Sequence, residues 1–197
     1  MFRFIETIRV ENKMSLQLKL HEQRLNHTRR AFFGDVPDID LKNMIKFPES
    51  LTQAIYKCRI VYGLNIESIT FDSYVRKNIH SLQLITDETI DYSFKFEDRS
   101  RFNQYLSQTV ADEILIIKNG FVTDTSFSNI VFFDGIKWMT PFTYLLNGTQ
   151  RQRLLQQGAI IEAEIRPSDL KHFRFAKLIN AMLDLETSPS IDIHVIE

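Results

Sequence analysis

The chain has 197 residues, 44% of them apolar, and a formal charge of −1; that is long enough for one large domain or two small ones, too apolar for disorder, and too nearly neutral for a global electrostatic drive toward nucleic acid or anionic membrane. Its one cysteine, Cys58, excludes an internal disulfide framework and suits a reducing cytosol. The charged N-terminus MFRFIETIRVENK does not read as a signal peptide, and no window nears the ~18 uninterrupted apolar residues of a membrane span, so a soluble cytoplasmic protein is expected.

Phe2 to Val10 alternates as a strand, with Glu11-Asn12-Lys13 as its turn. Ser15 to Phe33 follows with helical spacing and carries His21 and Arg24, beside Arg29 and Arg30. By residue counts alone, Arg24 reads as part of a solvated basic face. Asp35 to Asp40 is a loop, and Leu41 to Tyr56 is predicted to return as helix, with Pro48 as an interruption. Tyr56 to Leu64 and Ile66 to Tyr74 read as strands joined through Gly63-Leu64-Asn65. The first contains Cys58, read as a packed small residue, and Arg59, which either neutralises a substrate carboxylate or pairs with an acid of the protein.

The character of the chain changes around Arg76 to Ser81, which sets expected lobes of 1–78 and 79–197. No Gly/Ser linker marks this point, so close packing of the two is expected. Ser81 to Ile85 and Tyr92 to Phe96 are predicted strands. The second would set Tyr92, Phe94 and Phe96 on one face and Lys95 on the other. A lysine within an aromatic strand is costly to bury as a cation, although an exposed edge is the commoner fate of such a residue. Phe102 to Ala111 is a predicted helix.

The densest signal runs from Ala111 to Leu155. Ile114 to Ile117 is closed by Asn119-Gly120 and Ile130 to Phe133 by Asp134-Gly135, dipeptides that supply the positive φ of hairpin turns. Between them lies Thr123-Asp124-Thr125-Ser126-Phe127-Ser128-Asn129, polar where a simple sheet would alternate. Leu146-Asn147-Gly148-Thr149 then opens a helical segment, and a helix opening suits a phosphate. Ile160 to Ile165 reads as a strand, Pro167 to Phe173 as a short helix capped by Ser168, and Phe175 to Ile179 and Ile191 to Ile196 as strands.

The ordered run VTDTSFSNIVF, Thr140-Pro141 and LLNGTQRQRLL resembles the signature of the class IV, pyridoxal-phosphate-dependent aminotransferases, a family that includes branched-chain and D-amino-acid transaminases and 4-amino-4-deoxychorismate lyase. The resemblance extends from Phe4 to Met182. It implies a mixed α/β (α+β) fold of two lobes like that of D-amino-acid aminotransferase: a smaller N-terminal α/β lobe and a β-rich, cofactor-binding C-terminal lobe. The cofactor, pyridoxal 5′-phosphate, is expected where the lobes meet. By the same resemblance Lys95, in register with Arg99 and with Asp112-Glu113, is the Schiff-base lysine and proton carrier. Arg24, three residues after His21, binds the phosphate together with the backbone at Gly148-Thr149 and Asn180-Ala181. Asp124 faces the pyridine nitrogen, and Asn129 is a further cofactor-binding residue.

Thr7, Arg59 and Arg99 are the candidates on the substrate side. The pattern of Phe4, Thr7 and Arg9 and the spacing of Lys95 and Arg99 are most similar to the lyase branch, which releases pyruvate from an amino-chorismate. The alternatives are a transaminase acting on a branched-chain or D-amino acid and a catalytically reduced member that binds cofactor only. Family members usually carry Glu where this chain has Asp124, and the branched-chain type carries Tyr where this chain has Ser100. Relatives also have a strand and turn ahead of the segment that begins here at Phe4. A homodimer is implied.

Overall fold

A computed structural model describes residues 2–196. The chain divides into two compact units, one formed by Met1–Arg76 with Phe94–Asp98 and the other by Lys77–Ser93 with Arg99–Glu197.

The first unit is built on a four-stranded sheet in the order β2-β1-β3-β4. Its strands are β1 (Phe4–Glu11), β2 (Met14–Ser15), β3 (Tyr56–Tyr62) and β4 (Ile66–Ser73), all antiparallel to their neighbours. Asn12 and Lys13 both adopt positive φ in the turn between β1 and β2. Helix α1 (Leu18–Phe33) contributes Leu25 and Phe32 to a core that contains Phe4, Ile8, Val10, Cys58 and Ile60. Each fully buried aliphatic side chain of such a core contributes about 1.5–3 kcal/mol. Burial pushes the Cys58 thiol up to about 12, so Cys58 is packing and not a nucleophile at neutral pH.

Helix is found only at α2 (Leu41–Met44), well short of the predicted Leu41 to Tyr56. Asp40 caps α2 by accepting from the backbone N–H groups of Lys42 and Asn43, and residues 45–55 are irregular around Pro48, whose ring is incompatible with a helix interior.

The largest departure from expectation is at residues 92–96, which form no strand. Tyr92 packs edge-on against Phe102 in the second unit at 4.9 Å between centroids. Phe94 and Phe96 belong to the first unit, where Phe94 meets Phe32 at 4.9 Å and Phe96 meets Phe4 at 5.1 Å. The segment lies along the edge of β1: Ile5 donates its N–H to the carbonyl of Lys95, and Glu97 donates to that of Arg3, both at 2.9 Å.

The second unit holds a three-stranded sheet, β5-β6-β7, and a five-stranded one, β10-β9-β8-β11-β12. Strands β5 (Leu82–Thr86) and β6 (Glu113–Lys118) are parallel, with helix α3 (Ser100–Gln108) in the connection, and β7 (Phe121–Thr125) returns antiparallel to β6. Every residue of β6 from Glu113 to Ile117 is buried, the pattern of a strand covered on both faces. Asn119 (φ 54°) and Gly120 (φ 76°) make the tight turn that their sequence predicts.

In the larger sheet, β8 (Asn129–Phe133) pairs with β9 (Trp138–Pro141) through a four-residue loop, not the two-residue turn expected at Asp134-Gly135. The Asp134 carboxylate closes that loop by accepting from Ile136 and Lys137. Helix α4 (Thr149–Gln156) leads to β10 (Ile161–Ala163), and β11 (Phe175–Ile179) and β12 (Ile191–Asp192) complete the sheet. The predicted strand at Ile191 to Ile196 turns into a 3₁₀ segment after Asp192. The short helix Pro167–His172 is capped by Asp169 accepting from the N–H of Arg166, not by Ser168. No helix among the described residues is long and apolar enough to cross a membrane.

Candidate active site

In the first unit, the sequence of β1 forces a carboxylate into the core. Side chains alternate along a strand, so Glu6 points the same way as Phe4, Ile8 and Val10 and is fully buried. Helix α1 supplies its partners. His21 and Arg24 are three residues apart and share a helix face. His21 Nδ1 lies 2.7 Å from Glu6 Oε2, while Arg24 donates from Nε to Oε1 at 2.8 Å and from Nη2 to Oε2 at 2.6 Å.

Burial by itself would raise the Glu6 carboxyl, but the charge and hydrogen bonds of Arg24, with the bond from His21, bring it down to about 2. Burial lowers His21, which the bond to Glu6 opposes and the charges of Arg24 and Lys95 reinforce. At neutral pH an ionised Glu6 therefore faces a neutral His21, so the His21 proton sits on Nδ1 and is donated to Glu6. The influence of Lys95 on His21 places this half-buried lysine within electrostatic range of the cluster. Arg24, His21 and Glu6 form one hydrogen-bonded polar group beside an apolar and aromatic core.

Arg24 is thus not one of several equivalent surface cations. Arg29, also on α1, is buried and donates to the carbonyls of Leu64 and Pro37. Arg30 pairs with Asp38 at the surface. Thr7 and Arg59 are cross-strand partners in the β1–β3 ladder, and alternation sets them on the sheet face opposite Glu6. Arg59 donates to Glu97 Oε1 at 2.8 Å, so an acid of the protein partners it.

In the second unit the polar run ends β7 and turns into β8. Asp124 is buried, and three donors converge on it: the side-chain amide of Asn129 at 2.7 Å to Oδ1, and the backbone N–H groups of Leu145 and Leu146, each 2.9 Å from Oδ2. Burial raises the Asp124 carboxyl to about 6, against the pull of these hydrogen bonds and the more distant charge of Arg151. At pH 7 it is a buried anion with no ion-pair partner among the described residues. Isolated buried charges are costly. Two neighbouring residues hold the turn beyond it. Arg99 donates to the carbonyl of Ser126 at 2.6 Å, and the N–H of Ser126 donates to the fully buried Glu113 at 3.3 Å.

Gly148 caps α4 from directly beside the Asn129 amide. A Cβ on Gly148 would come within 2.1 Å of Asn129 Oδ1. That amide cannot turn away, because its nitrogen also donates to the carbonyl of Leu146 at 2.9 Å. Gly148→Ala should therefore cost about 1–3 kcal/mol by overpacking, measured by urea unfolding, and should pull Asn129 off Asp124. Thr149 opens α4 and is buried; the N–H groups of a helix's first turn lie outside its internal ladder. The Asn180 side chain is used to fold its own turn, its Oδ1 accepting from the N–H groups of Met182 and Leu183. Any contribution of Asn180-Ala181 to a ligand falls to the backbone.

The predicted residues therefore fall into two groups. Arg24 belongs to the Glu6 cluster, with the charge of Lys95 acting on it through His21; Asp124, Asn129 and Gly148 meet where β7 turns into β8 and α4 opens, Thr149 is the first residue of α4, and Asn180 reaches the β7–β8 turn through the carbonyl of Phe127 at 3.4 Å. Glu6, the partner role of His21 and the Leu145 and Leu146 amides were not anticipated. An acid at an inward position of an alternating strand, with His and Arg three apart on the next helix, is the signal that could have found Glu6.

Residues 95–185 match the profile of the family described as amino-transferase class IV. A protein of Haemophilus influenzae known only as uncharacterized is 40% identical over 185 residues, covering 92% of this chain and 98% of its own. A crystal structure from Haemophilus somnus 129pt, provisionally named 4-amino-4-deoxychorismate lyase, is 34% identical, covers 93% of this chain and 98% of that one, and superposes with a TM-score of 0.85. An aminotransferase of Mycobacterium tuberculosis in its pyridoxal-phosphate-bound form shares the fold at 17% identity and a TM-score of 0.78, covering 100% of this chain and 81% of that one. The chain belongs to the class IV aminotransferases, a family of pyridoxal-phosphate-dependent enzymes.

Proposed function

We propose that this protein is a pyridoxal-phosphate-dependent lyase of the 4-amino-4-deoxychorismate lyase kind, releasing pyruvate from an amino-chorismate, and that it works as a cytoplasmic homodimer. The cofactor assignment is carried by Asp124. Its carboxylate is buried, ionised at neutral pH and without a counter-ion among the described residues, and a protonated ring nitrogen is the positive charge such a site lacks. The reaction class rests on the 34% identity, over nearly the whole of both chains, with the Haemophilus somnus protein and the lyase activity in its name.

Pyridoxal phosphate, when bound, supplies the electron sink that makes bonds at the substrate's α-carbon breakable. The residues of the chain would hold and direct it. Arg24 would donate to the phosphate, with the backbone at Gly148-Thr149 and Asn180-Ala181. Asp124 would keep the proton on the ring nitrogen, and Asn129 with the Leu145 and Leu146 amides would hold Asp124 in place. The Lys95 amine would tether the cofactor and, once displaced by the substrate amine, move the substrate's proton at Nζ.

Purified protein mixed with pyridoxal phosphate should develop the visible band of lysine-bound cofactor, and borohydride reduction should leave the added mass on the Lys95 peptide. Lys95→Ala should show neither. A band that survives in Lys95→Ala refutes the assignment of that lysine. With aminodeoxychorismate as substrate, pyruvate should form without any added keto acid; amino transfer that depends on a keto acid would identify a transaminase instead.

A further inference from the structure

Glu6 has no part in the proposed chemistry, yet it is the most completely enclosed carboxylate of the first unit, and its bonds go to the one arginine assigned to the phosphate. We propose that Glu6, braced by His21, is a positioning residue for Arg24, and that it makes the protein select the phosphate-bearing cofactor. This rests on the pyridoxal-phosphate reading above.

Glu6 accepts from Nε and Nη2 of Arg24, a two-point grip on a planar fork. That grip fixes the plane of the guanidinium and so the direction of its remaining N–H groups. An arginine side chain otherwise gives up about 2 kcal/mol of rotamer entropy when it is ordered, and here the protein has met that cost before any ligand arrives. His21 takes the place of a second clamp, donating from Nδ1 to the oxygen that also accepts from Nη2. Tyr62 is fully buried and feels the charges of Glu6 and Arg24.

Two effects of Glu6 on phosphate affinity have opposite signs. Its charge cancels that of Arg24 while His21 is neutral, so removing the carboxylate charge would strengthen attraction for an anion. Its geometry aims directed donors, so removing it would weaken binding. Hydrogen bonds to charged groups carry enough energy for the second effect to dominate.

The experiment measures the affinities of the full-length protein for pyridoxal 5′-phosphate and for pyridoxal, which lacks the phosphate, by fluorescence or absorbance titration. Wild type should prefer the phosphate ester. Glu6→Gln keeps the shape but turns an amide N–H₂ toward donors, and should lose about 10- to 100-fold in affinity for the ester with pyridoxal affinity unchanged. Glu6→Asp keeps the charge but withdraws it by one bond of about 1.5 Å, and should show a smaller loss of the same selective kind. Arg24→Lys should remove the preference. Unchanged pyridoxal binding shows that each variant is folded; a variant that loses both ligands equally makes Glu6 a structural residue and overturns the proposal. Tighter ester binding by Glu6→Gln overturns it too, in favour of charge cancellation. If wild type binds neither compound, the cofactor reading itself has failed, whereas equal ester binding by wild type and Glu6→Gln overturns only the inference about Glu6.

Discussion

Glu6→Ala should lose about 3–5 kcal/mol of folding stability at pH 7, the cost of removing one partner from a buried ion pair. The mutation strands two groups at once: His21, fully buried, and Arg24, whose side chain is 12% exposed. Its pH dependence follows from linkage. The folded carboxyl titrates at about 2 and the reference value is 4.5, so the stability that Glu6 contributes is complete above about 4.5 and disappears as pH falls through 2. His21 acts in the same direction, because burial depresses it in the folded state and the unfolded chain gains the proton first as pH falls below 6.5. Urea unfolding of wild type and Glu6→Ala at a series of pH values should therefore show the gap between them largest near neutrality and closing on the acid side. A gap that is constant from pH 7 to pH 3 would mean that the ion pair contributes nothing.

Asp124 should behave in the opposite sense. Its folded carboxyl is raised from 3.8 to about 6, so the apoprotein is relieved of the buried charge at low pH and bears its cost as pH rises through that window. A difference of 6 − 3.8 units at 1.36 kcal/mol per unit is about 3 kcal/mol. A ligand carrying a protonated ring nitrogen recovers that energy. Stabilisation by pyridoxamine phosphate, which has no aldehyde to react with a lysine, should accordingly grow between pH 5 and pH 7.5 in wild type relative to Asp124→Asn. At neutral pH the substitution should weaken binding by roughly a hundredfold. Melting temperatures with and without the ligand, recorded for both proteins across that range, decide it; parallel profiles would show that Asp124 does not meet the ring.

Local chemistry decided which features were legible in advance. Asn119-Gly120 needed nothing beyond its own backbone preference for positive φ, and the hairpin formed as expected. The polar run around Asp124 and Asn129 stood out because polarity in a buried strand has to be used by something, and it is used by a network of three hydrogen bonds to one carboxylate. Lys95 is the opposite case. Alternation of Tyr92, Phe94 and Phe96 imitates a strand, but their partners, Phe102 for the first and Phe32 and Phe4 for the others, come from distant parts of the chain. Periodicity carries no information about such long-range partners. Glu6 was overlooked for the same reason, its ligands being fifteen and eighteen residues away. Pro48 did announce its effect, yet the helix ended four residues ahead of it, after Met44, where Asp40 had already satisfied the first turn.

The excursion of Phe94–Asp98 into the first unit bears on how this protein can be cut apart. The chain changes unit at Arg76, again at Ser93 and again at Asp98, so no single cleavage separates two self-sufficient pieces. A fragment ending at Arg76 would lack Phe94 and Phe96 and leave the rings of Phe4 and Phe32 facing water. Proteolysis at the exposed Val75 should thus yield a nicked but associated protein under native conditions, and the N-terminal fragment should aggregate once it is isolated.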